Sequence, residues 1–93
     1  MRKTNASLLR WKNYLEQAVK AIEPLKAIDA DLYETTYIHI VSERLSVNYL
    51  LCNYYEGHLS SEYFQECREQ FRDDALISEN TTCSKVLKQW GLA

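Results

Sequence analysis

The stretch TTYIHIVSERLSVNYLLCNYY, residues 35–55, decides the fold of this 93-residue chain. Its first part, 35–41, is rich in β-branched and aromatic residues, which on local preference favours a strand. The sequence holds no second convincing strand to pair with it, and an isolated strand is not stable. Apolar residues instead recur at helical spacing in two adjoining stripes, Ile38, Val41, Leu45, Tyr49 and Cys52 in one and Ile40, Val47, Leu51 and Tyr54 in the other. We therefore predict a central helix with packing partners on two sides.

Helical spacing continues on both sides of this segment. It predicts main helices over residues 6–23, 30–56 and 61–76, and a short helix over 82–90. The connections are short, so helices that follow each other are expected to be antiparallel neighbours. The predicted fold class is all-α, an antiparallel bundle of three main helices plus a short C-terminal helix, in a single domain spanning 1–93.

Residues typical of helix ends mark these boundaries. Pro24 stops or bends the first helix, and a short turn from Leu25 to Ile28 follows it. The predicted caps are Asp29 or Asp31 and Ser60 at helix starts, with Leu59 packing on Phe64, and Gly57 and Gly91 at helix ends.

Composition excludes several classes of partner. The chain contains 11 Lys and Arg and 13 Asp and Glu, which gives a net charge of -2. This balance predicts no basic surface for nucleic acid. No window approaches the roughly 20 apolar residues that span a bilayer, so no membrane partner is predicted. The two glycines lie far apart and form no phosphate-binding loop, and no cofactor is predicted.

Candidate chemistry in the chain is sparse. Cys52, Cys67 and Cys83 are odd in number and widely spaced, so we predict reduced core thiols, with one disulfide and a free thiol as the alternative. His39 and Glu43 share a helix face, as metal ligands or an acid-base pair would, but no third ligand or HExxH pattern accompanies them. We predict a hydrogen bond there, no metal site and no catalytic residue, and hence no enzyme.

Aromatic residues are the best binding candidates, because seven tyrosines are a high load for a small helical domain. Tyrosine suits places where one side is buried and the hydroxyl meets water, a partner protein or a sugar. The predicted binding residues are Tyr54, Tyr55 and His58 near a helix end and Trp90 near the chain end. The alternative is that these rings simply fill the bundle.

Three runs carry a resemblance to a known family: HIVSERLSVNYLLCNYYEG (39–57), LSSEYFQECREQFRDDA (59–75) and SENTTCSKVLKQWGL (78–92). They resemble the C-terminal helical region of large, mostly uncharacterised bacterial proteins whose central parts are similar to alpha-glucuronidases and related glycoside hydrolases. The resemblance covers more than half of the chain and includes no catalytic motif. It implies a fragment or detached relative of the helical segment that follows a catalytic barrel, with any hydrolase activity in the missing upstream part.

Two functions follow as hypotheses. The first is a non-catalytic accessory or interaction domain related to a carbohydrate-active protein, which contacts a neighbouring catalytic domain, helps form a homodimer or contributes a carbohydrate contact. The alternative is a free-standing intracellular helical adaptor or regulator that binds another protein through a tyrosine-rich face. Unpaired thiols favour a cytoplasmic location, whereas the resemblance implies an extracytoplasmic one.

Overall fold

The computed structural model describes residues 5–92, and within that range the chain is helical and contains no strand. The α-helices are α1 (Asn5–Ala21), α2 (Leu25–Ile28), α3 (Ala30–Tyr54), α4 (Ser61–Ser78) and α5 (Thr81–Gln89), and a 3-10 turn covers Glu56–His58. The three long helices α1, α3 and α4 form a bundle with α3 at its centre. The predicted all-α bundle, with a short C-terminal helix, is confirmed.

Side-chain caps set the starts of the helices. The Asp29 carboxylate accepts a hydrogen bond from the Leu32 amide at 3.1 Å, and the Ser60 hydroxyl accepts one from the Tyr63 amide at 3.2 Å. Asn80 accepts from two amides of α5. Each of these bonds satisfies an amide that has no partner inside its own helix. The predicted caps Asp29 and Ser60 are thereby confirmed.

The prediction for Gly57 is wrong. Among residues 5–92, a positive φ occurs only at Glu79 (52°) and Gly91 (76°). The Tyr55 amide makes the last bond of α3, to the Leu51 carbonyl, and the chain then enters the 3-10 turn without a left-handed residue. Gly91 does adopt the predicted left-handed conformation, just after α5.

The core consists of two clusters along α3. The first joins α1, α3 and α4 through Leu8, Leu15, Ile40, Val47, Leu51, Cys52 and Cys67. The second contains Leu45, Phe71, Ala75 and Leu87, and there α5 packs on α3 and α4. Trp90 packs against both clusters and lines a pocket with Cys52 and Phe64, so the end of α5 lies beside the end of α3. The start of α1 lies at the same end of the bundle, because the other end of α1 is connected to the start of α3.

The other end of the bundle is formed by the start of α3. Arg44 pairs with Asp74 and Asn48 with Gln70, so α3 and α4 run antiparallel. Because α3 has 25 residues and α4 has 18, the first turns of α3 extend beyond the end of α4 and are flanked by α2. No helix of residues 5–92 has the length and apolar character that a membrane crossing requires.

Three assignments to the core stripes of α3 are wrong. Ile38, Tyr49 and Tyr54 are 40%, 36% and 64% exposed. Ile38 lies at the end of the bundle where α4 stops, and Tyr54 lies in the last turn of α3. Helical spacing shows which residues lie on the same face of a helix, but it does not show where the neighbouring helix ends.

Candidate binding surfaces

A buried ion pair connects the centres of α3 and α4. The Arg44 guanidinium donates from Nε and Nη2 to the two carboxylate oxygens of Asp74, each at 2.9 Å. Asp74 is only 1% exposed. Burial raises the pKa of the Asp74 carboxyl above its ordinary value against the opposing effect of Arg44, while the hydrogen bond to Asp74 raises the pKa of Arg44. Each of these two charges is removed from water and is therefore stabilised by its partner.

A second polar contact joins all three long helices. The Gln70 side-chain oxygen accepts a hydrogen bond from the Lys12 ammonium and another, at 3.1 Å, from the Asn48 amide. Lys12 is buried and also pairs with Glu16 at 3.3 Å. The Asn48 side-chain oxygen is buried and accepts no hydrogen bond from the described residues. Sequence reasoning missed these groups, because helical patterns assign charged residues to the solvent-exposed face of a helix.

A pocket of about 380 Å³ lies between the end of α3, the start of α4 and the end of α5. We call it the Trp90 pocket, and it is lined by Cys52, Asn53, Glu56, Phe64, Arg68, Gln89 and Trp90. The Arg68 guanidinium donates to the Trp90 carbonyl and lies 5.7 Å from the centre of the Phe64 ring. Aromatic rings thus stand beside one cation, one carboxylate and two amides, a lining suited to a small polar ligand with one apolar face.

Of the four predicted binding residues, Trp90 alone lines this pocket. Trp90 lines it and also contacts the rings of Tyr49 and Phe71, with centroids 6.1 and 4.8 Å away. Tyr55 and His58 face each other at 6.2 Å, and Tyr54 projects into solvent. The structure therefore pairs Tyr55 with His58 and places Trp90 in another aromatic group. Arg68 and Gln89 were missed, since a wet-face position on a helix carries no sign of a pocket.

The remaining chemical candidates are the His39 and Glu43 pair and the cysteines. His39 and Glu43 approach to 3.7 Å on the outer face of α3, and the His39 side chain is 80% exposed. Among the described residues, no three His, Cys, Asp or Glu side chains converge as metal ligands.

The three cysteines are free thiols. Cys52 and Cys67 are buried, as predicted for core thiols, whereas Cys83 is half-buried. Burial raises the pKa of Cys52 to about 12 and shifts the pKa of Cys67 and Cys83 in the same direction. A thiol with a raised pKa is a poor nucleophile at neutral pH, because little thiolate is present.

Exposed aliphatic side chains collect at one end of the bundle. The large exposed hydrophobic residues of 5–92 comprise three tyrosines and five aliphatic residues. All five aliphatic residues lie where α3 begins and α4 ends, and we call this surface the aliphatic end: Ile28, Leu32, Ile38, Leu76 and Ile77. Ile28 is 80% and Leu76 is 68% exposed. Sequence reasoning missed this surface, because it had assigned Ile38 to the core.

Comparison of the chain with protein-family models, with curated proteins and with solved structures finds no match. The resemblance to the helical region of glycoside-hydrolase-like proteins therefore stays a prediction.

Proposed function

We propose that this chain is a non-catalytic interaction domain that binds another protein through its aliphatic end. The observation that carries the proposal is the separation of exposed residues: aliphatic side chains at one end, tyrosines elsewhere. A single exposed leucine or isoleucine is common in soluble proteins and needs no explanation. Five exposed aliphatic residues at the same end of the bundle indicate a contact site, because such sites concentrate apolar surface in one region.

The architecture supplies a reason for this exposure. The first turns of α3 extend past the last residue of α4, so they lack the neighbour that covers the rest of the helix. Leu32, Ile38 and Ile77 are 40–51% exposed, so a partner that covers the exposed remainder would gain about 0.6–1.5 kcal/mol for each side chain. The same aliphatic end is also available to a second copy of this chain, which was predicted as a possible homodimer.

The test uses an isotopically labelled chain and a synthetic amphipathic peptide. When the peptide is helical, leucines occupy one face and glutamines the other. We expect the peptide to shift amide resonances of residues 28–38 and 76–77 and to leave those around the Trp90 pocket unchanged. The variant Ile77→Ser should weaken binding, whereas Tyr14→Ser, which removes a side chain that is 70% exposed elsewhere, should not. Shifts centred on the Trp90 pocket, or equal effects of the two variants, would contradict the proposal.

A carbohydrate-related role is the second candidate. The family resemblance suggests an accessory domain beside a catalytic barrel, and the lining of the Trp90 pocket favours a sugar contact there. An indole with nearby amide and charged groups can cover one face of a sugar and hydrogen bond to its hydroxyls. Titration with uronic acids or xylo-oligosaccharides should move the resonances of Trp90. Unchanged spectra at millimolar ligand would exclude direct contact at Tyr54, Tyr55, His58 and Trp90.

A further inference from the structure

Charge is distributed unevenly along the bundle. Residues 20–44 and 69–79, which form the aliphatic end and its surroundings, contain nine Asp and Glu against four Lys and Arg. The rest of the chain contains four Asp and Glu against seven Lys and Arg. Arg44 and the buried Asp74 pair with each other, which leaves eight Asp and Glu against three Lys and Arg in this region. The exposed aliphatic surface is therefore surrounded by a strongly negative region.

A groove beside the aliphatic end concentrates this negative charge. It has a volume of about 410 Å³ between α3 and α4, and we call it the acidic groove. Tyr37 and Ile77 form its apolar walls, and Ile77 also belongs to the aliphatic end. The remaining lining consists of Arg44, Glu66, Glu69, Gln70, Asp73 and Asp74. The apolar surface and the acidic groove are thus continuous through Ile77.

The outer carboxylates of the groove are available to a partner. Glu66, Glu69 and Asp73 follow each other at steps of three and four along α4, so they share one helix face. Within residues 5–92, Glu66 and Glu69 form no ion pair, and Asp73 pairs only with the half-buried Arg72 at 3.3 Å. These carboxylates lie beside Tyr37, and one turn earlier on α3 the ammonium of Lys26 lies 5.4 Å from the centre of the Tyr33 ring. A tyrosine on this side of α3 therefore already makes a cation–π contact with a lysine of the same chain.

We propose that the aliphatic end and the acidic groove together dock a basic amphipathic helix of another protein. This inference rests on the proposed function and names the chemistry of the partner. Leucine or isoleucine side chains of the partner cover Ile77 and its aliphatic neighbours, while lysine or arginine side chains pair with Glu69 and Asp73 and lie over Tyr37. Apolar burial provides most of the affinity, and the charges provide orientation, fast association and selection against acidic partners.

The experiment compares three synthetic peptides of about 18 residues, long enough to form a helix on the surface. All carry the same leucine pattern, and their polar positions are lysine, glutamine or glutamate. Fluorescence anisotropy measures binding of each peptide to the full chain at low and at physiological salt. We expect the lysine peptide to bind about tenfold more tightly than the glutamine peptide at low salt and the glutamate peptide to bind most weakly. The preference for lysine should shrink as salt increases.

Matched variants locate the effect on the surface. The double variant Glu69→Gln with Asp73→Asn should weaken binding of the lysine peptide by about fivefold and leave the glutamine peptide unchanged. Glu56→Gln with Glu62→Gln removes the same charge at the opposite end of the bundle, and this control should change binding by less than about twofold. Equal effects of the two double variants would overturn the proposal, because attraction would then come from net charge alone.

The outcomes separate this inference from the proposed function. If the glutamine peptide binds as tightly as the lysine peptide and Ile77→Ser weakens both, the interaction domain stands and the basic partner is wrong. If Ile77→Ser affects neither peptide, both proposals fail. If sedimentation shows that the chain forms a homodimer that Ile77→Ser dissociates, a second copy occupies the aliphatic end, and the basic partner is again wrong.

Discussion

Replacing Asp74 by asparagine tests whether the buried ion pair is a main contributor to stability. The substitution keeps the size of the side chain but leaves the guanidinium of Arg44, a residue that is 9% exposed, without its negative partner. Removing one member of a buried pair costs about 3–5 kcal/mol, because the remaining charge stays out of water. We expect the lower part of that range, about 3 kcal/mol, since the asparagine oxygen still accepts one of the two hydrogen bonds.

Urea unfolding followed by circular dichroism measures this loss. At a slope of about 1–2 kcal/mol per molar urea, the transition midpoint should fall by about 2 M. The control is Asp73→Asn, the same chemical change one residue earlier, where the side chain is 60% exposed and pairs only with Arg72. That variant should lie within about 0.5 kcal/mol of the unmodified chain.

A double variant completes the test. Replacing both partners, Arg44→Met with Asp74→Leu, removes the charges together and should recover most of the stability lost in Asp74→Asn. The reasoning is refuted if Asp74→Asn costs less than about 1 kcal/mol, or if Asp73→Asn costs as much as Asp74→Asn.

Two further predictions concern a core thiol and a helix cap. Burial raises the pKa of Cys52 to about 12 from an ordinary value of 9.0, so raising the pH between these values ionises this thiol in the unfolded chain first and lowers stability. Cys52→Ala should reduce the slope of unfolding free energy against pH above 9, and an unchanged slope would contradict the burial of this thiol. Asn80→Ala leaves the amides of Thr82 and Cys83 without their acceptor and should cost about 1 kcal/mol in urea unfolding, whereas Ser84→Ala on the exposed side of α5 should have little effect.

Most helix boundaries could be predicted because they depend on local chemistry. A cap such as Asp29 or Ser60 acts on amides within three residues, so the short segment contains all the groups involved. The prediction that Gly57 ends α3 in a left-handed conformation was wrong for a related reason. A glycine permits that conformation but does not require it, and α3 already ends at the Tyr55 amide. Sequence patterns therefore identify starts of helices better than they identify the geometry of their ends.

The buried charges could not be predicted from periodicity. Arg44 and Asp74 are separated by 30 positions, and neither side chain carries a mark that distinguishes it from charged neighbours on the solvent side. Arg72, another charged residue of α4, instead contacts the adjacent Asp73 at the surface. Only the packing of α4 against α3 determines which carboxylate enters the interior.

The candidate surfaces show the same limit. Aromatic content pointed to Trp90, and that residue does line a pocket, but the polar groups around it come from three separate helix ends. The aliphatic end depends on the difference in length between α3 and α4, a tertiary property that no single helical stripe contains.

Trp90 packs against the core cluster that contains Leu8, and this arrangement has a practical consequence. Because the start of α1 and the end of α5 both lie at the end of the bundle opposite the aliphatic end, residues 5–92 can be inserted as a module into a surface loop of a host protein. Circular permutation that joins residues near Leu8 to residues near Trp90 should also preserve the bundle. Either rearrangement would leave the aliphatic end facing outward, so a host carrier could display it to a partner without obstruction.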